Sequence, residues 1–216
     1  MTTPFSFGKP ASATSDLQKK FGAAGGIGAR GETQYLKALR NALPPGYTIT
    51  HSLSIPETRD DKAAMSGDVD VAIASGNKLV LIDVKAWKGP SSYWSPAGVL
   101  AVITANLDLK AIPLLVKPWR GFRPYLLNGK WKASQNMLLA LNRYRKRLKG
   151  ADVSAMVVFV PANGAPPRSV HLLGWPGGIS SFRSKHSFEE IINRLGPPTP
   201  PTPAIKQLLA EMSRTS

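Results

Sequence analysis

The chain has 216 residues with 28 Lys and Arg against 13 Asp and Glu, which gives a formal charge of +15. This length allows one domain with a hydrophobic core plus terminal extensions. The positive charge favours a polyanionic partner, either nucleic acid or an anionic membrane surface. Because the chain has no cysteine, disulfides, thiolate zinc sites and a cysteine nucleophile are excluded.

The start of the chain is predicted to contain a tail, a helix and a strand. Residues 1–25 are rich in Ser, Thr, Gly and Ala without periodicity, which is typical of a flexible tail. Apolar side chains at helical spacing predict a helix from Gly31 to Leu43, which the following Pro-Pro-Gly run ends. A strand from Tyr47 to Leu53 and a polar loop at 56–66 are expected next.

A glycine-rich run, G-x-G-x-x-G, occupies residues 26–31 just before this helix. A dinucleotide-binding fingerprint requires a strand directly before such glycines, and residues 19–25 do not form a convincing strand. We interpret the run as a hinge that delivers Glu32.

A β-hairpin is predicted from Gly67 to Gly89, with two apolar strands joined by a turn at Gly76-Asn77. On the second strand Asp83 and Lys85 are two residues apart, so they project from the same face. Antiparallel pairing brings Asp70 of the first strand level with them. Two carboxylates and an ammonium group therefore meet at one end of the hairpin.

The second half of the chain is predicted to hold an irregular insert at 90–132, then a helix and two strands. An Asn-Gly turn at 128–129 predicts a small hairpin within the insert. A basic amphipathic helix covers about 133–149. The two short strands are expected from Met156 to Val160 and from Val170 to Leu173.

The C-terminal region is predicted to contain two helices separated by a proline-rich linker. Ser187 and Glu190 form a capping-box pattern for a helix that ends at Leu195. The proline-rich run 197–203 is expected to be extended and to lead to a short terminal helix.

This order of elements predicts an α/β fold with a mixed central sheet flanked by helices. We place a flexible tail at 1–25 and a main domain at 26–196. The insert 90–132 lies within that domain, and a C-terminal segment follows at 197–216.

The acidic end of the hairpin suggests phosphodiester hydrolysis. This reaction needs charge neutralised on a phosphate and a water made nucleophilic, and a divalent cation held by oxygen ligands supplies both. Asp70, Asp83 and the backbone oxygen of Val84 are the candidate ligands. Glu32 is a candidate further carboxylate, and Lys85 is placed to orient or deprotonate the water or to stabilise the transition state. The alternative is that Asp83 and Lys85 form only a surface ion pair.

These residues resemble a known family, the nuclease-related domain, abbreviated NERD, of the PD-(D/E)xK restriction-endonuclease-like superfamily. The resemblance is carried by Gly31-Glu32 at a helix start, by Asp70, and by the segment from Ile82 to Gly89. It implies a restriction-endonuclease-like αβββαβ core and Mg²⁺-dependent cleavage of DNA, with Mn²⁺ as a substitute cation and RNA as a second substrate candidate.

The resemblance also implies roles for individual residues. Glu32, Asp70, Asp83 and Lys85 would form the catalytic site, and Gln135 matches a helical glutamine that family members often carry. Asp83 stands where the family more often has Glu. Lys132-Ala133-Ser134 stands where it often has Asn-Pro.

Basic residues are the candidates for nucleic-acid contact. Residues 109–151 hold eleven Lys and Arg and no acidic residue. Such residues bind phosphates and make affinity salt-dependent rather than sequence-specific. The predicted phosphate-binding residues are Arg143, Arg145, Lys146, Arg147 and Lys149 on the basic helix, with Lys130 and Lys132 before it.

Two other functions remain alternatives. One is a nucleic-acid-binding protein of the same fold without turnover, and the other is a basic adaptor for anionic membrane or protein surfaces. No signal peptide is expected, and the apolar window 99–116 is interrupted and too short to span a bilayer. We therefore expect a cytoplasmic location without membrane attachment. The oligomeric state is left open, a dimer included.

Overall fold

A computed structural model describes residues 5–7, 30–57, 68–87, 91–94, 101–104, 122–124, 126–127, 130–131, 135–161, 169–171 and 179–214. The expected α/β fold is confirmed. The first helix, α1, occupies residues 30–42. The other helices are α2 (Gln135–Arg147), α3 (Ser184–Leu195) and α4 (Pro203–Arg214).

The central sheet is mixed and has five strands plus a short edge strand, β1 (Phe5–Phe7). Its order is β1-β2-β3-β4-β10-β12. The strands are β2 (Thr48–Ser54), β3 (Asp68–Ser75), β4 (Lys78–Trp87), β10 (Asp152–Pro161) and β12 (Ser180–Arg183). Strand β3 is antiparallel to β2 and β4, whereas β10 runs parallel to both β4 and β12. The order α1, β2, β3, β4, α2, β10 is the expected αβββαβ arrangement.

The insert contributes short strands outside the central sheet. Strands β5 (Ser91–Trp94), β6 (Ala101–Thr104) and β7 (Phe122–Pro124) form a second sheet with β11 (Ser169–His171). Strands β8 (Leu126–Leu127) and β9 (Lys130–Trp131) pair antiparallel on either side of the predicted Asn-Gly turn.

Two hydrophobic clusters cover the two faces of the central sheet. On one face α1 and α3 bury Tyr35, Leu39 and Ile191 against the sheet. On the other face α2 and α4 bury Leu141 and Ile205. The sheet is therefore the middle layer of three, and its strands are apolar on both faces, as expected for a covered sheet.

The C-terminal segment is bound to the turn between β3 and β4. The Gly76 amide donates to the Thr199 carbonyl at 3.1 Å, and the Thr202 amide donates to the Gly76 carbonyl at 2.9 Å. Ser75 Oγ donates to the Pro197 carbonyl at 2.8 Å. Residues 197–202 form neither helix nor strand, these bonds hold them against the turn between β3 and β4, and Pro203 of the run already begins α4. The limits of the tail, the main domain and the C-terminal segment stay predictions.

The predicted start of α3 is wrong. The helix begins at Ser184, and its N-cap Arg183 makes no side-chain capping hydrogen bond. Ser187 lies inside the helix, where its hydroxyl bonds the Ser184 carbonyl at 2.7 Å and Tyr35 Oη at 3.0 Å. Ser187 therefore joins α3 to α1 and does not cap a helix.

His51 on β2 makes stability depend on pH. Burial and the nearby Arg40 lower the pKa of His51 from 6.5 to about 4. A base with a lowered folded-state pKa stabilises the fold fully above its unfolded pKa, and this contribution is lost as the pH falls toward the folded value. We expect His51→Gln to reduce the pH dependence of the unfolding free energy between pH 6.5 and 4 by up to about 3 kcal/mol, measured by urea denaturation.

His186→Gln is the matched control, because His186 is an exposed histidine on α3. The carboxyl groups titrate in the same window in all three proteins, so each variant is compared with the wild type. An equal change of slope in both variants would contradict the role given to His51.

Candidate active site

The strand ladder between β3 and β4 ends where the acidic residues lie. The last paired residues at this end are Val71 and Ile82. One position further, Asp70 Oδ2 accepts a hydrogen bond from the Val84 amide at 2.6 Å. The Asp70 side chain thus takes the bond that a neighbouring strand would supply, and this fixes its carboxylate between the two strands.

Asp83 and Lys85 lie on the same face of β4, as predicted. Lys85 Nζ donates to Asp83 Oδ1 at 2.6 Å. The Asp83 side chain is only 10% exposed and that of Lys85 is 34% exposed, so the pair is partly buried rather than fully on the surface. The second oxygen of Asp83, Oδ2, is buried and has no hydrogen-bond partner among the described residues. An unsatisfied buried carboxylate oxygen is costly and is a mark of a site for a cation or a substrate.

Glu32 reaches the same cluster from the first turn of α1, and this placement depends on Gly31. A Cβ atom on Gly31 would lie 2.9 Å from Val160 Cγ2 and closer still to Ala86 Cβ. The helix can therefore approach β4 and β10 this closely only with glycine at this position. Gly31 is a packing residue rather than the hinge predicted from sequence, and the other glycines of that run lie outside the described residues.

The charges of Glu32, Asp70, Asp83 and Lys85 act on one another's pKa values. The pKa of Glu32 is raised to about 7. Burial is the largest cause, the charges of Asp68 and Asp83 raise the pKa as well, and Lys85 lowers it. Burial also raises the pKa of Asp70, with Asp83 as the next cause. For Lys85, burial lowers the pKa, but Asp83, Asp70 and Glu32 outweigh it and keep the ammonium form favoured. The net effect is a cluster with more negative groups than Lys85 alone can neutralise.

The cluster fits a hard divalent cation through its chemistry. Asp70 and Asp83 offer carboxylate oxygens, which are the ligands that Mg²⁺ prefers, and one of these oxygens has no hydrogen-bond partner in the described part of the chain. A cation would also relieve the repulsion that raises the pKa of Glu32 and Asp70. Among the described residues no group of three or more His, Asp or Glu has a metal-binding arrangement. Glu32 as a ligand through water and the Val84 carbonyl as a ligand stay predictions.

The other predicted catalytic residue, Gln135, is the first residue of α2. Its side chain lies outside the described residues, so its role also stays a prediction. His51 Nε2 on β2 accepts a hydrogen bond from Arg40 Nη2 at 3.0 Å. Asp68, at the start of β3, is exposed, and its charge helps to raise the pKa of Glu32.

The predicted phosphate-binding residues of α2 have different environments. Arg143 is buried and donates to the Pro56 carbonyl at 3.0 Å. Arg145 Nε donates to the Val153 carbonyl at 2.9 Å, and Arg147 pairs with Glu211 at 2.8 Å. Lys146 and Lys149 are exposed. Lys130 is on β9 without a described side chain, and Lys132 lies outside the described residues.

The end of α2 lies away from the carboxylates. The Asn77 side chain donates to the Gly150 carbonyl, and Asp152 pairs with Lys78 at the start of β4. From Lys78 to Asp83 the strand rises roughly 17 Å. Nucleic-acid contact by the predicted residues of α2 and by Lys149 stays a prediction, and at this end of the helix it would occur at a distance from the site.

Comparison with known families gives one match. Residues 27–99 match the model of the nuclease-related domain, NERD. This segment of the chain is thus similar to the nuclease-related domain. The resemblance predicted from the sequence is thereby confirmed over about a third of the chain, a segment that includes Glu32, Asp70, Asp83 and Lys85. No curated protein and no solved structure gives a significant match.

The NERD match does not extend to Gln135 or to the basic helix. In the part of the chain that the structure describes, no helix has both the length and the apolarity needed to cross a bilayer.

Sequence reasoning missed a basic groove beside α1. It is lined by Thr33, Lys37, Arg40 and Asn41 around Leu36. The signal was present in the sequence, because these positions recur at helical spacing on one side of the helix.

The close packing of Gly31 against Ala86 can be tested by adding a methyl group at position 31 and removing one at position 86. We expect Gly31→Ala to lower the unfolding free energy by about 1–3 kcal/mol, because the new Cβ overpacks against Ala86 and Val160. Ala86→Gly in the same chain removes the nearest atom and should recover part of this loss. Urea denaturation of the two single variants and the double variant forms a double-mutant cycle. Strict additivity of the two changes would contradict direct contact at this position.

Proposed function

We propose that this protein is a metal-dependent nuclease that hydrolyses phosphodiester bonds in DNA, with Mg²⁺ as its cation. The observation that carries the proposal is the convergence of Asp70, Asp83, Lys85 and Glu32 at the end of the β3–β4 ladder. Asp83 Oδ2 is buried there and has no hydrogen-bond partner among the described residues. The NERD match over these residues supports it.

Asp70 and Asp83 would hold the cation, which when bound supplies charge neutralisation on the phosphate and a more acidic water. The Val84 amide keeps the Asp70 carboxylate in place through its 2.6 Å bond. Lys85, now paired with Asp83, would turn to the attacking water or to the charge that develops on the phosphate oxygens. The water oxygen would form a bond to phosphorus and release one proton to solvent, the bond to the leaving sugar oxygen would break, and that oxygen would take up one proton from solvent.

The topology supports delivery of a polyanion to this site. Strand β4 ends at Trp87, beyond the carboxylates, and the insert follows directly. Helix α2 packs on β10 and is joined to it by a short turn at the far end, so its first residue, Gln135, lies toward the carboxylate end. The residues on either side of the insert, Trp87 and Gln135, thus both lie toward the carboxylate end of the sheet. The insert, residues 90–132, carries six Lys and Arg and one Asp. The positive charge of the insert favours a polyanion there.

Nucleic-acid binding without turnover is the second candidate. It is favoured by one observation: in the described residues Lys85 already neutralises Asp83, and Asp70 already accepts the Val84 amide. Such a site would be a structural ion-pair network on a binding protein. RNA as the substrate and a dimeric state also remain proposals.

Cleavage assays separate the two candidates. We expect the wild type to cut plasmid or linear DNA with Mg²⁺ or Mn²⁺ and to stop cutting with EDTA. Asp83→Asn should lower the rate at least about 100-fold, which corresponds to about 2.7 kcal/mol of transition-state stabilisation. Asp152→Asn is the matched control, because Asp152 is an exposed aspartate at the other end of the sheet.

Cutting that survives in Asp83→Asn, or that falls equally in Asp152→Asn, would refute the site. Salt-sensitive DNA binding by the wild type without metal-dependent cutting would instead establish the second candidate.

Cation binding has a readout that does not depend on activity. A ligand that binds only the folded state raises its stability by mass action, by about 2.7 kcal/mol at a hundred times the dissociation constant. We expect Mg²⁺ to raise the melting temperature of the wild type and to have a much smaller effect on Asp70→Asn. Asp152→Asn should respond like the wild type. The same Mg²⁺ response in wild type and Asp70→Asn would place the cation elsewhere.

A further inference from the structure

A groove of about 300 Å³ runs along one flank of α1. Its described lining residues are Thr33, Leu36, Lys37, Arg40 and Asn41. Leu36 is buried and forms the floor, whereas the other four are exposed and polar. Two of them are cations and none is acidic, so the groove suits an anion.

The groove lies on the side of α1 that faces away from α3. Tyr35 bonds Ser187 of α3 and stacks on Phe188 with 5.8 Å between ring centroids. At 100° per residue, the positions 33, 37, 40 and 41 centre on the opposite side of the helix from Tyr35. Neighbouring helix α3 therefore leaves this flank uncovered.

Arg40 connects the groove to β2. Its Nη2 atom donates to His51 Nε2 at 3.0 Å. A guanidinium stays charged, and the buried His51 with its lowered pKa is neutral at neutral pH. The bond restrains the Arg40 side chain, and its acceptor is an uncharged imidazole.

The groove begins on the same turn of α1 as Glu32. Thr33 directly follows Glu32, and the helix rises about 1.5 Å per residue. Lys37 is therefore about 7.5 Å and Arg40 about 12 Å from Glu32 along the helix axis. Since each nucleotide of a duplex strand advances about 3.4 Å, the groove corresponds to roughly two to four nucleotides.

We propose that this groove binds the phosphodiester backbone of the nucleic-acid strand on one side of the cleaved bond. Lys37 and Arg40 contact phosphates, and Thr33 and Asn41 donate hydrogen bonds to phosphate or sugar oxygens. The identity of the occupant rests on the proposed nuclease function. Contacts to phosphate and sugar fix the position of the strand and do not distinguish one base from another.

The test measures DNA binding apart from cleavage, in EDTA, by fluorescence anisotropy of a labelled duplex over a range of salt. We expect Lys37→Glu to weaken binding about tenfold and to reduce the salt slope by about one. Lys37→Arg should keep the wild-type affinity. Lys206→Glu is the matched control, because Lys206 is an exposed lysine on α4, on the other face of the sheet. It makes the same change in net charge.

A large loss in Lys37→Glu with a small loss in Lys206→Glu supports the groove, provided that circular dichroism and melting temperature show an intact fold. Equal losses, or no DNA binding by the wild type, overturn it. Inorganic phosphate that competes as well as an oligonucleotide overturns it in favour of a small-anion site. DNA binding through Lys37 without cutting by the wild type refutes the nuclease and retains the groove, whereas cutting with no Lys37 effect refutes only the groove.

Discussion

The candidate site depends on the point where β3 and β4 stop pairing. Beyond Val71 and Ile82 the two strands no longer share a ladder, yet the Val84 amide is still satisfied, because it donates to the Asp70 carboxylate. Strand β4 meanwhile stays paired with β10 as far as Trp87. Asp83 and Lys85 are thus held on a rigid strand while Asp70 is held by a single strong bond across the opening.

This arrangement concentrates charge at a cost to stability. Glu32 and Asp70 both have raised pKa values because burial disfavours their charged forms and neighbouring carboxylates repel them. Lys85 compensates only in part. A fold selected for stability alone would replace such a cluster with apolar side chains, so its presence at a strand opening points to function. The close packing at Gly31 brings the third carboxylate into the cluster, which ties the helix position to the electrostatics.

The hairpin and the cluster at its end followed from local rules in the sequence. Alternating apolar residues and the Gly-Asn turn fixed the register, and the register alone places Asp70 level with Asp83. Ser187 could not be assigned in this way. Its spacing from Glu190 matches a capping box, but the hydroxyl of Tyr35, 152 positions away in sequence, pairs with it inside the helix. Tertiary contacts of this kind leave no trace in the neighbouring residues.

Strand β2 shows a second limit of local patterns. Ile49 and Leu53 would share a face in an uninterrupted strand, yet they belong to clusters on opposite faces of the sheet. Ser52 between them has a positive φ of 50°, a conformation rare for a residue other than glycine. Alternation predicts a strand here but not this change of face. Ser52 lies opposite Asp70 on β3. Strand β2 therefore changes face at the level where β3 and β4 stop pairing.

The position of the cations, and not their number, determines which surface can serve the site. Composition and clustering drew attention to α2, but Arg143, Arg145 and Arg147 bond the Pro56 carbonyl, the Val153 carbonyl and Glu211. Those bonds use guanidinium groups to fasten α2 to the sheet and to α4. Helix α1 has fewer cations, yet Lys37 and Arg40 lie within three turns of Glu32 and line a groove. Because Coulomb attraction between exposed charges decays within about 8–10 Å at physiological salt, cations close to the carboxylates position a phosphate there more effectively than a larger number at the far end of the sheet.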